Sequence, residues 1–214
     1  MENPAPSTPR DAILRVLRRD DPGRVVYAPN YWQWFTHHRN HGRLPPEIAQ
    51  CDSQLDLIRH LGLDIFSRNL YCDPTDCWFG GLSHEVSDGV GTEIRRRFEG
   101  RDTITERTHR TPRGALSERL RYIFSESTLV QERHLLDKPE PNLDAFEQLV
   151  LARRWHFDAS LWRRWRDRLG PDGVVVAGEL FSPLKMLHLA AGAADAVYLL
   201  EDHPGRCAEW MAAH

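Results

Sequence analysis

From Val174 to Gly178 the chain reads V-V-V-A-G, with no polar side chain. An unbroken β-branched apolar run suits a strand covered on both faces, as strands of parallel sheets are. Gly170-Pro171-Asp172-Gly173 breaks the chain just before it. Two other runs read the same way: Arg24 to Ala28 (R-V-V-Y-A) and Leu63 to Phe66 (L-D-I-F). Helical spacing fills the intervals. Thr8 is placed to cap a helix that opens on Pro9, carries Ile13, Leu14, Val16 and Leu17 as a stripe, and stops at Asp20-Asp21-Pro22-Gly23. Asn30 to His41 is an aromatic helix, halted by Leu44-Pro45-Pro46-Glu47. Ser53 to Leu61 is a third, with Gly62 in the position that closes helices. Further helices are expected over Asp144–Trp155, Ala159–Leu169, Pro183 to about Ala191, Ala194–Leu200 and Pro204–Ala213. Apolar strands separated by helices predict parallel pairing through crossovers, an α/β architecture.

The segment from about 73 to 136 differs in character. Thr103–Thr108 and parts of Ala115–Ile123 and Thr128–His134 alternate polar with apolar. Turn residues stand between them at Glu99-Gly100, at Pro112 with Gly114, and at Ser125–Ser127. This pattern predicts a half-exposed antiparallel meander set into the helical chain.

Composition is that of a globular chain, 41% hydrophobic and 28% charged, with a formal charge of −3. No apolar run reaches the roughly 18 residues that cross a bilayer, and Met1–Arg10 has no apolar core of a secretory signal. A cytoplasmic location without a membrane partner is expected. Lys138 and Lys185 are the only lysines among 28 basic residues. Acidic residues are interspersed with the arginines throughout, so clusters such as Arg95-Arg96-Arg97 read as solvated faces rather than a nucleic-acid surface. Cys51, Cys72, Cys77 and Cys207 form no C-x-x-C pair and are expected to be reduced.

Four segments together resemble the uroporphyrinogen decarboxylase superfamily, which also holds cobamide-dependent methyltransferases. Thr8–Val26 (T-P-R-D-A-I-L-R-V-L-R-R-D-D-P-G-R-V-V) is similar to the superfamily's opening helix and first strand. Leu61-Gly62-Leu63-Asp64 matches the L-G-x-D before its second strand, and Thr111-Pro112-Arg113-Gly114 the T-P-x-G of the methyltransferase-like branch. Gly178–Pro183 (G-E-L-F-S-P), with Leu184, and Glu201-Asp202-His203-Pro204 complete the set. The resemblance implies a TIM-type (β/α)8 barrel. Three core strands are legible against the eight needed for closure. The expectation is therefore a single domain over 1–214, an incomplete barrel carrying the meander as an insertion and truncated at its C-terminal side.

The resemblance also nominates residues. Barrel chemistry sits at the carboxyl ends of strands, here Asn30 and Tyr31, Ser67–Leu70, and Glu179–Ser182. The decarboxylases carry an R-Q-A-G-R-Y-x-P-E motif whose arginines meet substrate carboxylates. Arg39, Gly42, Arg43, Pro46 and Glu47 match it in spacing, further from the strand and beyond the aromatic helix. Where the decarboxylases place an aspartate for pyrrole N–H groups, Phe66-Ser67-Arg68 carries arginine, which only donates. The substrate-binding set is thus Tyr31, Arg39, Arg43, Arg68, Asn69, Glu179 and Ser182, with no catalytic residue and no metal ligand assigned. His37 and His41 lie four apart on the expected helix and could share a metal, but no third ligand stands at a fixed spacing.

The departure at Arg68 and the T-P-x-G segment favour the methyltransferase branch: transfer of a methyl group from a small methylated substrate, with a corrinoid protein as partner and zinc as an implied cofactor of the whole enzyme. That branch's H-x-C zinc motif is absent from this sequence. The alternatives are a decarboxylase of porphyrin biosynthesis, and a non-catalytic half-barrel that works only beside another chain, prone to oligomerise through its open sheet edge.

Overall fold

A computed structural model describes residues 8–70, 80–86, 89–178 and 181–213. Its helices are α1 (Pro9–Arg18), α2 (Trp32–Asn40), α3 (Gln54–His60), α4 (Leu143–Leu151), α5 (Ala159–Leu169), α6 (Pro183–Ala191), α7 (Ala193–Asp202) and α8 (Pro204–Ala213). Its strands are β1 (Ile65–Phe66), β2 (Leu82–Val86), β3 (Gly91–Glu99), β4 (Asp102–Thr111), β5 (Gly114–Ile123), β6 (Thr128–Arg133), β7 (Arg153–Phe157) and β8 (Gly173–Val174). The chain folds into two compact units, one of residues 1–83 with 156–179, the other of 84–155 with 180–214.

In the first unit α1 starts as its sequence dictates. The Thr8 hydroxyl accepts from the Asp11 N–H at 3.1 Å, and Asp11 returns bonds to Thr8, a closed capping box. β1 and β8 pair in parallel, Ile65 opposite Gly173 and Phe66 opposite Val174. Glycine is required at 173, because a Cβ there would fall 2.3 Å from the Ile65 carbonyl oxygen. Helices α3 and α5 cover this pair with Leu55, Ile58, Trp165 and Leu169, joined by Leu70 and Val175.

No barrel forms. Among the described residues the sheets are short and open: the parallel β1–β8 pair, a second pair of β2 with β7, and the four strands β3-β4-β5-β6. This overturns the TIM-type expectation, and local causes are visible. Residues 24–28 are extended but join no ladder, and Val25 is 85% exposed. The Tyr27 N–H goes to the Asp64 carboxylate at 2.8 Å, so a side chain takes the bond a neighbouring strand would take. The apolar run at 174–178 pairs only at its start. Beyond Phe66 the chain turns into a 3-10 helix, Ser67–Leu70, and the Ser67 hydroxyl accepts the Val176 N–H at 3.0 Å. Strand propensity without a partner backbone makes no sheet.

In the second unit β3 to β6 form an antiparallel meander, with Glu99 opposite Asp102 and Thr111 opposite Gly114 at the first two turns. Strand β3, which includes the arginine cluster at 95–97, is one strand more than the alternation indicated. Each sheet face is closed differently. Leu116 joins Phe146, Leu149 and Trp210 in the unit's core. On the other face Ile104, fully buried, lies in register with Arg97 and Arg121. Arg121 bonds Glu132, Glu99 and Asp102, and Arg119 meets Glu132 at 2.7 Å. Arg97 and Arg121 thus flank the isoleucine as its directly opposite cross-strand neighbours. The helix expected over 144–155 ends early, at Leu151, and β-favouring Trp155 and Phe157 continue as β7.

Phe146 and Trp210 meet edge to face at 5.1 Å, both fully buried. Phe146→Ala is expected to destabilise this unit by about 3–5 kcal/mol, read as a lower urea midpoint by tryptophan fluorescence and circular dichroism together. An unchanged midpoint would show that this contact does not hold the core.

Candidate functional site

The most structured polar locus in the first unit lies at the carboxyl end of the parallel pair. In open α/β sheets this end gathers ligand-binding loops. Three segments meet there. The Asn69 side-chain amide donates to the Ala28 carbonyl oxygen, which draws 67–70 to the 28–31 loop. The Ser67–Val176 bond draws in the chain after β8. Asn30 turns the chain into α2 by accepting the Trp32 N–H at 2.9 Å. Tyr31 follows, its ring packed against two apolar clusters and edge-on to Trp34 at 6.1 Å. Ser67 and Leu70 are fully buried, whereas Arg68 and Asn69 between them are half-buried. The short 3-10 helix thus fixes its ends in the core and leaves its two polar members half-buried between them.

Beneath this edge is a charge pair. Asp64 is 5% exposed, and both terminal nitrogens of Arg24 reach it as a fork, one of them at 2.8 Å. The Arg24 hydrogen bond, reinforced by the Tyr27 N–H, holds the Asp64 carboxyl below the usual carboxylate range against the opposing effect of burial. The same bond raises the Arg24 guanidinium. Both residues stand in matched motifs, D-D-P-G-R-V and L-G-x-D, yet no local pattern pairs positions forty residues apart.

The other nominated residues separate. Arg39 donates to the Asp52 carbonyl oxygen and ties the end of α2 to the start of α3. Arg43 is exposed, its backbone N–H bonded to the His38 carbonyl at 2.8 Å. Ser182 caps α6 by accepting from the Lys185 N–H at 3.2 Å, and it belongs to the second unit. Glu179, Cys72 and Cys77 lie outside the described residues. Of the six described, Tyr31, Arg68 and Asn69 therefore stand at the carboxyl edge.

Comparison with family models, with curated proteins and with solved structures finds no match. Among the described residues no group of three or more His, Cys, Asp or Glu is placed to hold a metal ion. The zinc that the resemblance implies therefore has no fitting donor set in them, and no chemical step is derived through it. No described helix is long and apolar enough to cross a membrane.

Asp64→Asn removes the charge but keeps the shape. Because the folded carboxyl titrates below its unfolded value near 4, its stabilisation is complete above that value and fades as pH falls through the lower folded one. At pH 7 the variant should lose about 1–3 kcal/mol. The gap to the parent should narrow as pH drops from about 4 to 2, measured by urea midpoints. A gap that stays constant across that range would show that the ion pair is not what Asp64 contributes.

Proposed function

We propose that this chain belongs to an enzyme of one-carbon transfer related to the uroporphyrinogen decarboxylase superfamily, acting on a small methylated substrate with a corrinoid protein as methyl carrier. The observation that carries the reading is the convergence of 28–31, 67–70 and 175–178 at one sheet edge through the Asn69–Ala28 and Ser67–Val176 bonds. All three segments adjoin matched motifs, R-V-V, L-G-x-D and G-E-L-F-S-P. Arginine at 68 supports the methyltransferase branch, since a donor-only side chain suits a carboxylate or another anionic group of a substrate and not pyrrole N–H groups. In this reading Arg68 binds and orients the substrate's anionic end. Asn69 keeps the 28–31 loop in place, and Tyr31 supplies an apolar wall. The matched Thr111-Pro112-Arg113-Gly114 forms the β4–β5 turn, where the Thr111 hydroxyl accepts the Arg113 N–H at 3.1 Å; its part in the reaction is not assigned.

The test uses protein expressed from its complete reading frame. It is given methylcobalamin and a carboxylate-bearing thiol, the demethylated form of a small anionic substrate, without oxygen; the transfer is thus run in reverse, and loss of the cobalt-bound methyl group is followed by absorbance. Protein-dependent methyl loss is expected, and Arg68→Ala should lower kcat/KM by about tenfold to a hundredfold. No methyl loss, combined with uroporphyrin binding that Arg39→Ala abolishes, would replace this reading with the decarboxylase one. Neither activity would remove both.

A further inference from the structure

Strand β3 is an end strand of the four-stranded sheet in the second unit. Every residue of it except the half-buried Glu93 is exposed. Ile94 is 51% and Phe98 77% exposed, two apolar side chains left in water. The hairpin shows which backbone groups face outward. Gly100-Arg101 joins β3 to β4, Glu99 stands opposite Asp102, and Gly100 takes the positive φ of 63°. This is the type II′ pattern, whose closing pair is hydrogen-bonded. Bonded and non-bonded pairs then alternate along the ladder. Gly91, Glu93, Arg95, Arg97 and Glu99 therefore spend their N–H and C=O groups on β4. Thr92, Ile94, Arg96 and Phe98 direct theirs to the outer edge. β4 agrees: its other turn is closed by Thr111 and Gly114, which assigns its odd-numbered residues to β5 and keeps its even-numbered ones for the odd-numbered residues of β3.

A long outer strand with exposed apolar residues is a template for a further strand. On β3 the charged side chains select which strand that is. Glu93, Arg95, Arg97 and Glu99 share one sheet face, and Arg95 Nε meets Glu93 at 2.6 Å. A second copy of β3 can lie antiparallel along this edge, with a two-fold axis near the middle of the strand. With the axis at Arg95, that arginine opposes itself. With the axis at Arg96, Arg95 opposes the partner's Arg97, and Glu93 the partner's Glu99. With the axis at Ile94, Glu93 opposes the partner's Arg95 and Arg95 the partner's Glu93, and no like charges stand directly opposite. Opposite charges across a ladder stabilise it and like charges destabilise it. The axis at Ile94 also sets that residue on its counterpart and Thr92 opposite the partner's Arg96. Outward-facing backbone groups therefore meet outward-facing ones, each such pair exchanging N–H to carbonyl bonds.

We propose that the outer edge of β3 is a self-association surface, on which two copies of this chain pair antiparallel through residues 91–97 about an axis at Ile94. The arginines at 95–97 do not block the edge in this register; they exclude the neighbouring ones, which is how charge fixes strand register and partner. The bond within each strand between Arg95 and Glu93 becomes part of a square of alternating charges. Contact one strand wide buries less than a permanent dimer needs, so association is weak and reversible. The surface belongs to the antiparallel sheet of the second unit, not to the parallel pair of the first, and does not rest on the methyl-transfer reading.

The experiment is sedimentation velocity of the whole chain, from the low micromolar range to the highest soluble concentration. Mass should rise with concentration from one chain toward two. Glu93→Arg and Arg95→Glu each set like charges opposite one another and should weaken association by about tenfold. The double variant restores opposite charges only when the axis lies at Ile94, and should return to within about threefold of the parent. Ile94→Pro removes an N–H that β4 does not use, a place where an edge strand tolerates proline, and should abolish association. Circular dichroism of each variant verifies that the sheet survives, and the charge variants decide alone if Ile94→Pro loses it. A mass that stays at one chain throughout, a double variant as weak as the single ones, or a folded Ile94→Pro variant that still associates would overturn the assignment.

Discussion

The first unit depends on how a carboxylate with almost no solvent contact is kept charged. Asp64 immediately precedes β1, and its two oxygens are occupied by the Arg24 fork and the Tyr27 N–H. The Asp64 N–H in turn reaches the Tyr27 carbonyl at 3.1 Å. One residue thus joins the extended 24–28 stretch to the sheet through both backbone and side chain. A buried ion pair is a poor source of net stability, because desolvation offsets most of the attraction. Its effect here is positional. With Arg24 and Tyr27 anchored, Ala28 lies where Asn69 can reach its carbonyl, and Tyr31 can enter both apolar clusters. Removing the anchor would leave a charged group without its partner and the 28–31 loop without its register.

Much of this was legible in the sequence, for physical reasons that can be named. Helix ends were read correctly at Thr8 before α1, at Gly62 after α3 and at Pro183 opening α6, whereas Ser53, placed inside α3, and Ser182, nominated for substrate, proved to be caps. These are local signals, complete within a few residues. The antiparallel meander was also legible, since alternation is a local property. What failed was the barrel: of the three apolar runs only two pair, in parallel and briefly, and the first joins no ladder. The run R-V-V-Y-A has the composition of a strand, but a strand exists only beside another one, and the Tyr27 N–H had been claimed by a carboxylate distant in sequence. The run V-V-V-A-G has the same composition, yet it pairs over a single residue of that run because Ser67 intercepts Val176. In both cases a side-chain acceptor competes successfully for a ladder N–H. No periodicity records that competition.

The site shows the same division. Ser67, Arg68 and Asn69 were chosen for standing after an apolar run, and they do occupy the end of a parallel strand. Arg39 and Arg43 were chosen by spacing to a motif, and spacing along a chain says little about direction. Arg39 spends a guanidinium N–H on the Asp52 carbonyl. The i, i+4 spacing of His37 and His41 was visible, whereas the His41–His37 backbone bond and the stacking of His38 on Trp34 were not.

The near-absence of lysine has a structural consequence in the second unit. Ile104 must be covered on a sheet face that otherwise faces water, and the residues in register with it are Arg97 and Arg121. Arg121 serves three carboxylates at once, Glu99, Asp102 and Glu132, using Nη2, Nη1 and Nε. A planar fork with five donors can hold that arrangement beside the isoleucine. A lysine ammonium is a single point on a flexible stem and could satisfy these acids only by moving among them. Exposed ion pairs contribute little one by one, but here they fix where the guanidinium lies. Ile104, directly opposite Arg97 and Arg121, is fully buried. The arginine-rich composition, first read as a solvated face, thus accounts for how a four-stranded meander with so many charges can still bury an apolar residue on its outer side.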